Sequence, residues 1–185
     1  GMVLDNTWLM KGRKFRDFPR TEYFQYWKKR FSDAGIDLLI PLGGVSEAGA
    51  MKICEIEKIL PFMNSCLRGN GKTGCGKCWK CFHKNGPFGR PFDIDAKEIQ
   101  TFLHRRPLTT ATHALWAMKQ LNQESQVPDL AHLFQQDFTW WTSYYPPADE
   151  ILPVRWKNGI KTKISTYLED MEQPYVLESV NHFDE

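Results

Sequence analysis

Apolar side chains recur three and four residues apart in the first third of the chain, which is the spacing of a helix face. The pattern predicts a first helix from Asp17 to Ala34, with Thr21 as a candidate N-cap and Gly35 at the end. A second helix is predicted from Ser46 and Glu47 to about Leu60. The apolar positions of the two helices are Tyr23, Phe24, Trp27, Phe31, Met51, Cys54, Ile56 and Ile59.

A short apolar run, Ile36 to Pro41, lies between these helices and has the length of a buried strand. Gly43 and Gly44 follow it and predict a turn. The order helix, strand, glycine turn and helix is typical of α/β proteins, although only one strand is clear.

The second half is predicted to be almost wholly helical, after a loop from Asn85 to Asp93 that contains two prolines and two glycines. The aromatic segment Phe138 to Pro147 is expected to pack over the core. The predicted helices run from Asp95 as cap to Arg105, from Thr109 or Thr110 as cap to Asn122, from Asp129 to Gln135, and from Pro153 to Met171 with Ile160, Ile164, Tyr167 and Leu168 on one face.

These elements predict a mainly α protein with a small β component. A partial α/β region over residues 2–93 and a helical region over residues 94–185 are expected to pack into one domain. The length of 185 residues is enough to bury a core without disulfides.

Composition bears on the cellular location of the protein and on the distribution of charge along the chain. No apolar run reaches the roughly 18 residues that cross a bilayer, and the first residues lack a signal-peptide core, so a cytoplasmic protein is expected. We interpret Gly1, before Met2, as the scar of a cleaved tag. The net charge is only +2, but Cys66 to Arg106 holds nine Lys or Arg against three Asp or Glu. This is a solvated face or an anion-binding face.

Four of the five cysteines fall within sixteen residues, CLRGNGKTGCGKCWKC. Two overlapping CxxC units, Cys75 to Cys78 and Cys78 to Cys81, have the geometry of a metal knuckle, and a glycine-rich loop can return Cys66 to them. Four thiolates suit a structural Zn²⁺, so the predicted ligands are Cys66, Cys75, Cys78 and Cys81. Lys72, Lys77, Lys80 and Lys84 would offset their charge.

Other uses of the thiols remain open. An iron–sulfur cluster also takes four cysteines, a redox CxxC takes two, and disulfides are disfavoured without a secretory signal. Cys54, on the apolar side of a predicted helix, is interpreted as a buried small hydrophobe.

The spacing C-x8-C-x2-C-x2-C resembles the zinc site of the 7-cyano-7-deazaguanine synthase family, among the N-type ATP pyrophosphatases. The resemblance covers about Ile36 to Asn85 and rests on PLGGVSEAGAMKICEI, then SC, then CGKCWKC. It implies that the four cysteines are the zinc ligands. It also implies the C-terminal part of a Rossmann-like adenine-nucleotide hydrolase fold, here with a helical extension from Asp95 that has no counterpart in the family.

The chain departs from this family at the ATP site. Family members bind ATP with an SGGxDS loop, whose backbone amides hold pyrophosphate, and no such string occurs here. The nearest string is LGGVSE, Leu42 to Glu47, and we interpret its glycines as a plain turn. The resemblance therefore implies a portion without the ATP-binding half, which would act with a separate ATP-binding chain or domain.

Several other residues have an ordinary structural interpretation. His83 is expected at the surface or beside the metal ligands, and Asp95 among the acids Asp93, Asp95 and Glu98 is expected to cap a helix. Trp140, Trp141, Tyr144 and Tyr145 can stack on bases, but core packing is favoured. The remaining histidines, which show no metal spacing, are His104, His113, His132 and His182.

Two functions follow from these observations. The first is a zinc-containing fragment or subunit of an ATP-pyrophosphatase-like enzyme, of the nucleotide-dependent ligase or amidase type, inactive alone. The alternative is a zinc-knuckle module that binds nucleic acid through the lysines of the cysteine segment with Trp79 and Phe82. No nucleophile arrangement of the Ser/His/Asp or Cys/His kind can be argued from the sequence.

Overall fold

The computed structural model describes residues 21–106 and 108–172. Within these ranges the chain forms six α-helices and several 3₁₀ segments. The helices are α1 (Glu22–Asp33), α2 (Glu47–Ile56), α3 (Trp79–Lys84), α4 (Lys97–His104), α5 (Ala111–Leu121) and α6 (Val154–Ser165). The 3₁₀ segments are Leu60–Phe62, Gly86–Phe88, Glu124–Gln126, Pro128–Gln135, Thr139–Thr142 and Pro146–Ile151.

The core is built around α5. Its residues from Ala111 to Met118 are all buried, which is the pattern of a helix covered on every side. The largest cluster of buried side chains joins α5 to Phe82 of α3, to Leu103 of α4 and to Trp141. The predicted packing of the aromatic segment over the core is confirmed, since Trp141 and Tyr144 are almost fully buried.

The mainly helical class is confirmed, but the predicted strand at Ile36 to Pro41 is wrong. Among the described residues the β component consists of isolated bridges only, between Val45 and Tyr144 and between Tyr144 and Asp170. The segment has no sheet neighbour within residues 21–106 and 108–172, and Ile36 and Leu39 are exposed rather than buried.

Both N-caps predicted in the first third are confirmed. The Thr21 hydroxyl accepts a hydrogen bond from the Phe24 amide at the start of α1. The Ser46 hydroxyl accepts one from the Gly49 amide at the start of α2. The part of the first predicted helix before Thr21 lies outside the described residues. The second helix is shorter than predicted, because Lys58 takes a positive φ of 59° and breaks the helical path.

Of the two caps predicted in the second half, one is wrong and the other makes no side-chain bond to the helix. Asp95 does not cap α4, whose N-cap is Ala96 without a side-chain hydrogen bond. The Asp95 amide instead donates to the carboxylate of Asp93, which closes a local turn. Thr110 is the N-cap residue of α5, as predicted, but its hydroxyl donates to the carbonyl of Thr109 and accepts no helix amide.

The last helix, α6, also ends earlier than the pattern predicts, at Ser165. Beyond it the chain turns and reaches the backbone bridge between Asp170 and Tyr144. The predicted apolar face is confirmed, because Ile164 and Leu168 are buried in one cluster with Val45 and Tyr144, and Ile160 and Tyr167 pack against it.

The glycine turn before α2 is confirmed and is tightly packed. A Cβ atom at Gly44 would lie 2.6 Å from the carbonyl oxygen of Tyr145 and 2.7 Å from the Tyr144 ring. Only glycine fits there, so the turn is a packing device between α2 and the aromatic segment.

Candidate metal centre

The four clustered cysteines meet at one point. Their sulfur atoms all lie within 4.8 Å of one another. The Sγ–Sγ distances are 3.7 Å from Cys66 to Cys78, 3.9 Å from Cys75 to Cys81 and 3.6 Å from Cys78 to Cys81. None of the four is in a disulfide. The sequence-predicted ligand set is therefore brought together as one group that is compatible with a metal ion.

Three of the six sulfur separations match the edge length of a tetrahedral zinc site. Sulfurs bound at about 2.3 Å from one zinc ion lie about 3.8 Å apart along each tetrahedral edge. The three quoted separations lie within 0.2 Å of that value. A cluster of several irons places each thiolate on a different atom and needs wider spacing.

Local backbone geometry holds the first two thiols. The amide of Cys75 donates to the Sγ of Cys66 at 3.3 Å, and the amide of Lys77 donates to the Sγ of Cys75 at 3.4 Å. Gly76 supplies the positive φ, 72°, that this turn requires. The carbonyl of Gly76 accepts the Asp93 amide at 2.8 Å, which fastens the following loop to the knuckle.

Cys81 lies on α3, and Cys78 is the N-cap position of that helix. The sequence predicted a knuckle here but no helix. The adjacent Phe82 and His83 are fully buried, so α3 anchors the cluster in the core. The spacing of Trp79, Phe82 and His83, at i, i+3 and i+4, is the sequence signal that could have identified α3.

Electrostatics differ between the two halves of the cluster. The hydrogen bond that the Cys75 amide donates to the sulfur of Cys66 lowers the pKa of Cys66 to about 6. Burial raises the pKa of Cys78 and raises that of Cys81 to about 12. The two buried thiols would ionise at neutral pH only beside a cation, which is what a bound metal provides.

A second group of candidate ligands lies beside the cysteines. Glu47, His83 and His113 offer ligand atoms within 4.8 Å of one another. Of the two predicted placements of His83, at the surface or beside the metal ligands, the surface is wrong, because the ring is fully buried against that of His113, with the ring centroids 4.4 Å apart. Thirty residues separate the two histidines, so sequence spacing gave no sign of this pair.

The hydrogen bonds of His113 argue against a metal at this second group. The indole N–H of Trp141 donates to Nδ1 of His113 at 3.2 Å, and indole can only donate. The proton of neutral His113 is therefore on Nε2, which faces the carbonyl oxygen of His83 at 3.3 Å. Neither nitrogen keeps a lone pair for a metal. The carboxylate of Glu47 is engaged by Lys84 at 2.7 Å.

His83 itself has no hydrogen-bond partner among the described residues on either ring nitrogen. Burial, with His113 and Lys84 nearby, holds its pKa well below the ordinary value. It is therefore a neutral ring among Trp79, Phe82 and Phe102 rather than an acid or base.

The remaining predicted residues lie apart from the cysteine cluster. Cys54 is half-buried on α2 and takes no part in it, so it is less buried than predicted. His104 is exposed and contacts Gln100, and His132 is exposed. His182 lies outside the described residues. Trp140, Trp141 and Tyr144 are core residues, as favoured.

Comparison with known proteins gives one match. Residues 26–86 match the model of a family described as "Family of unknown function (DUF6395)". This range runs from α1 through the four cysteines. No curated protein and no solved structure matches the chain. No helix in residues 21–106 or 108–172 is long and apolar enough to cross a membrane.

Proposed function

We propose that this chain is the zinc-containing part of an ATP-pyrophosphatase-like enzyme and that its zinc is structural. The observation that carries the proposal is the cysteine set itself. The spacing resembles that family, and Cys66, Cys75, Cys78 and Cys81 converge, with three sulfur separations near the edge length of a tetrahedral zinc site.

A structural role follows from the number and type of ligands. Four thiolates fill a tetrahedral zinc site and leave no position for a substrate or a catalytic water. The ion would hold the loop from Cys66 to Cys75 against α3, whose Phe82 is buried in the core. It would thus shape a wall of the enzyme and leave the chemistry to other groups.

We assign ATP binding to a part of the enzyme other than the glycine turn at Gly43 and Gly44. The string Leu42 to Glu47 follows the glycine pattern of a phosphate loop, but its surroundings are closed. Gly44 packs against Tyr144 and Tyr145, and the buried Ser46 hydroxyl is used by the Gly49 amide and the Trp141 carbonyl. We therefore expect a separate ATP-binding chain or domain, and no activity from this chain alone.

The second candidate function is binding of single-stranded nucleic acid. It is favoured by the exposed Lys72 and Lys77 beside the knuckle. Two observations weaken it. Lys84 is already paired with Glu47. The ring of Trp79 stacks on Phe102 at 5.9 Å with an interplanar angle of 19°, so one of its faces is not available to a base.

A salt titration separates the two functions. If Lys72, Lys77 and Lys80 contact phosphates, affinity for an oligonucleotide should fall with a log–log slope near −2, from roughly −0.7 per contact. Replacing Lys77 and Lys80 by Ala should then remove most of that slope. The enzyme proposal predicts no binding at about 0.15 M salt for the wild type or the double variant.

The enzyme proposal is tested by calorimetry and by DNA sequence. Calorimetry should detect no ATP binding by the isolated, zinc-loaded chain. The DNA immediately upstream of the coding region should encode an SGGxDS loop, and its product mixed with this chain should bind ATP in the same calorimetric assay. Tight ATP binding by this chain alone, or salt-dependent nucleic-acid binding without such an upstream frame, would reject the proposal.

A further inference from the structure

The segment from Asp37 to Ile40 has the side-chain pattern of a strand but, in the part of the chain that the structure describes, no strand beside it. Leu38 and Ile40 pack against the cluster of Phe24, Ala148 and Ile151, whereas Asp37 and Leu39 are exposed. This is the two-residue period of a strand with one covered face.

The backbone of this segment is also unpaired. Within the described ranges, the amides from Asp37 to Ile40 and the carbonyls from Asp37 to Leu39 form no hydrogen bond with other backbone. A row of such groups is a template for pairing with a second extended segment.

A groove of about 850 Å³ runs beside the segment, between the second half of α1 and the start of α6. Apolar side chains project from its rim. The exposed fractions are 58% for Ile36, 45% for Leu39, 89% for Val154 and 43% for Trp156. The Trp156 indole donates to the Asp37 carboxylate at 2.9 Å, which fixes its ring at the rim. We call this surface the edge groove. It combines a concavity with projecting apolar side chains.

The charges at the edge groove are mixed. Lys28, Arg155 and Lys157 lie there with Asp37 and Glu150. A partner of a single charge sign would meet like charge on part of this surface. A second copy of the chain, rotated by a two-fold axis, can place each sign against the other.

The segment is compatible with the same symmetry. Antiparallel pairing centred on Leu38 keeps paired side chains on the same face and places Asp37 opposite Leu39, so no like charges face each other across the ladder. The projecting apolar side chains of one copy would then enter the groove of the other, as a two-fold interface requires.

We propose that the edge groove is a homodimer interface, in which Asp37 to Ile40 of two copies pair as antiparallel strands. The proposal is independent of the enzymatic function proposed above. It assigns the segment a role as half of a two-stranded ladder that residues 21–106 and 108–172 of one chain do not complete.

Sedimentation of the full, zinc-loaded chain tests this interface. Wild-type protein should shift with concentration towards twice the 21.6 kDa chain mass. Leu39→Lys and Val154→Glu, on separate elements of the groove, should each weaken the dimer at least about tenfold. Phe62→Lys is the matched control, since Phe62 is 84% exposed and does not line the groove, and it should dimerise like the wild type.

Hydrogen exchange adds a readout that folding defects do not mimic. The amides of Asp37 to Ile40 should slow as wild-type concentration rises, but not in Leu39→Lys. The proposal is overturned by a wild-type monomer up to about 1 mM, by a dimer that both groove variants retain, or by exchange at these amides that ignores concentration.

Discussion

Replacing Ser46 by Ala should destabilise the protein more than the loss of an ordinary helix cap. The hydroxyl is fully buried and makes two hydrogen bonds. It accepts the Gly49 amide at 2.9 Å, which caps α2, and it donates to the carbonyl of Trp141 in the aromatic segment. One side chain therefore joins the start of α2 to a segment 95 residues later.

The magnitude follows from these two bonds. Loss of an N-cap costs about 1 kcal/mol. The Trp141 carbonyl would be left without this partner in a buried position, which costs about 1–3 kcal/mol more. We expect Ser46→Ala to lower the free energy of unfolding by about 2–4 kcal/mol.

Urea unfolding of zinc-saturated protein, followed by far-UV circular dichroism, measures this loss. Thr21→Ala is the matched control, because Thr21 caps α1 by the same type of bond but is only half-buried. It should cost about 1 kcal/mol. A Ser46→Ala cost no larger than that of Thr21→Ala would refute the argument that the Trp141 bond adds to the cap.

Local signals in the sequence predicted local features well. Ser46 and Thr21 have the right residue type at the right place before an apolar pattern, and both cap helices. The four cysteines are close in sequence and contain two CxxC units, so their convergence could be predicted from turn geometry alone.

Features that depend on distant partners could not be predicted. Ile36 to Pro41 has the composition of a buried strand, but a strand also needs a neighbour, and the described chain supplies none. The burial of His83 depends on α5, thirty residues away, which brings His113 against it. Asp95 is a residue type that caps helices, but α4 begins one residue too late for it, with Ala96 at the N-cap position.

Further predictions concern the knuckle and its buried neighbour. Cys78→Ser removes the thiol shared by both CxxC units, so the protein should lose its zinc and its near-UV dichroism, whereas Cys54→Ser should keep one zinc per chain. His83→Leu removes two unpartnered buried nitrogens and should raise the free energy of unfolding by about 1 kcal/mol. A decrease of that size in the free energy of unfolding would instead show that the His83 ring makes a hydrogen bond. The pH dependence should follow the same residue. The folded-state pKa of His83 lies below its unfolded value, so the free energy of unfolding of the wild type should fall as pH falls through about 6.5. Between pH 7.5 and 6 this fall should be roughly 0.8 kcal/mol larger in the wild type than in His83→Leu. Equal pH profiles in unfolding titrations of the two proteins would show that His83 is not a neutral buried ring.

The central claim is a closed zinc site of four thiolates, and X-ray absorption at the zinc edge, combined with metal analysis of the purified protein, tests it most directly. The account predicts one zinc per chain with four sulfur neighbours at about 2.3 Å and no oxygen or nitrogen ligand. It is contradicted by iron in place of zinc, by a light-atom ligand in the first coordination sphere, or by metal-free protein with Cys66, Cys75, Cys78 and Cys81 in two disulfides.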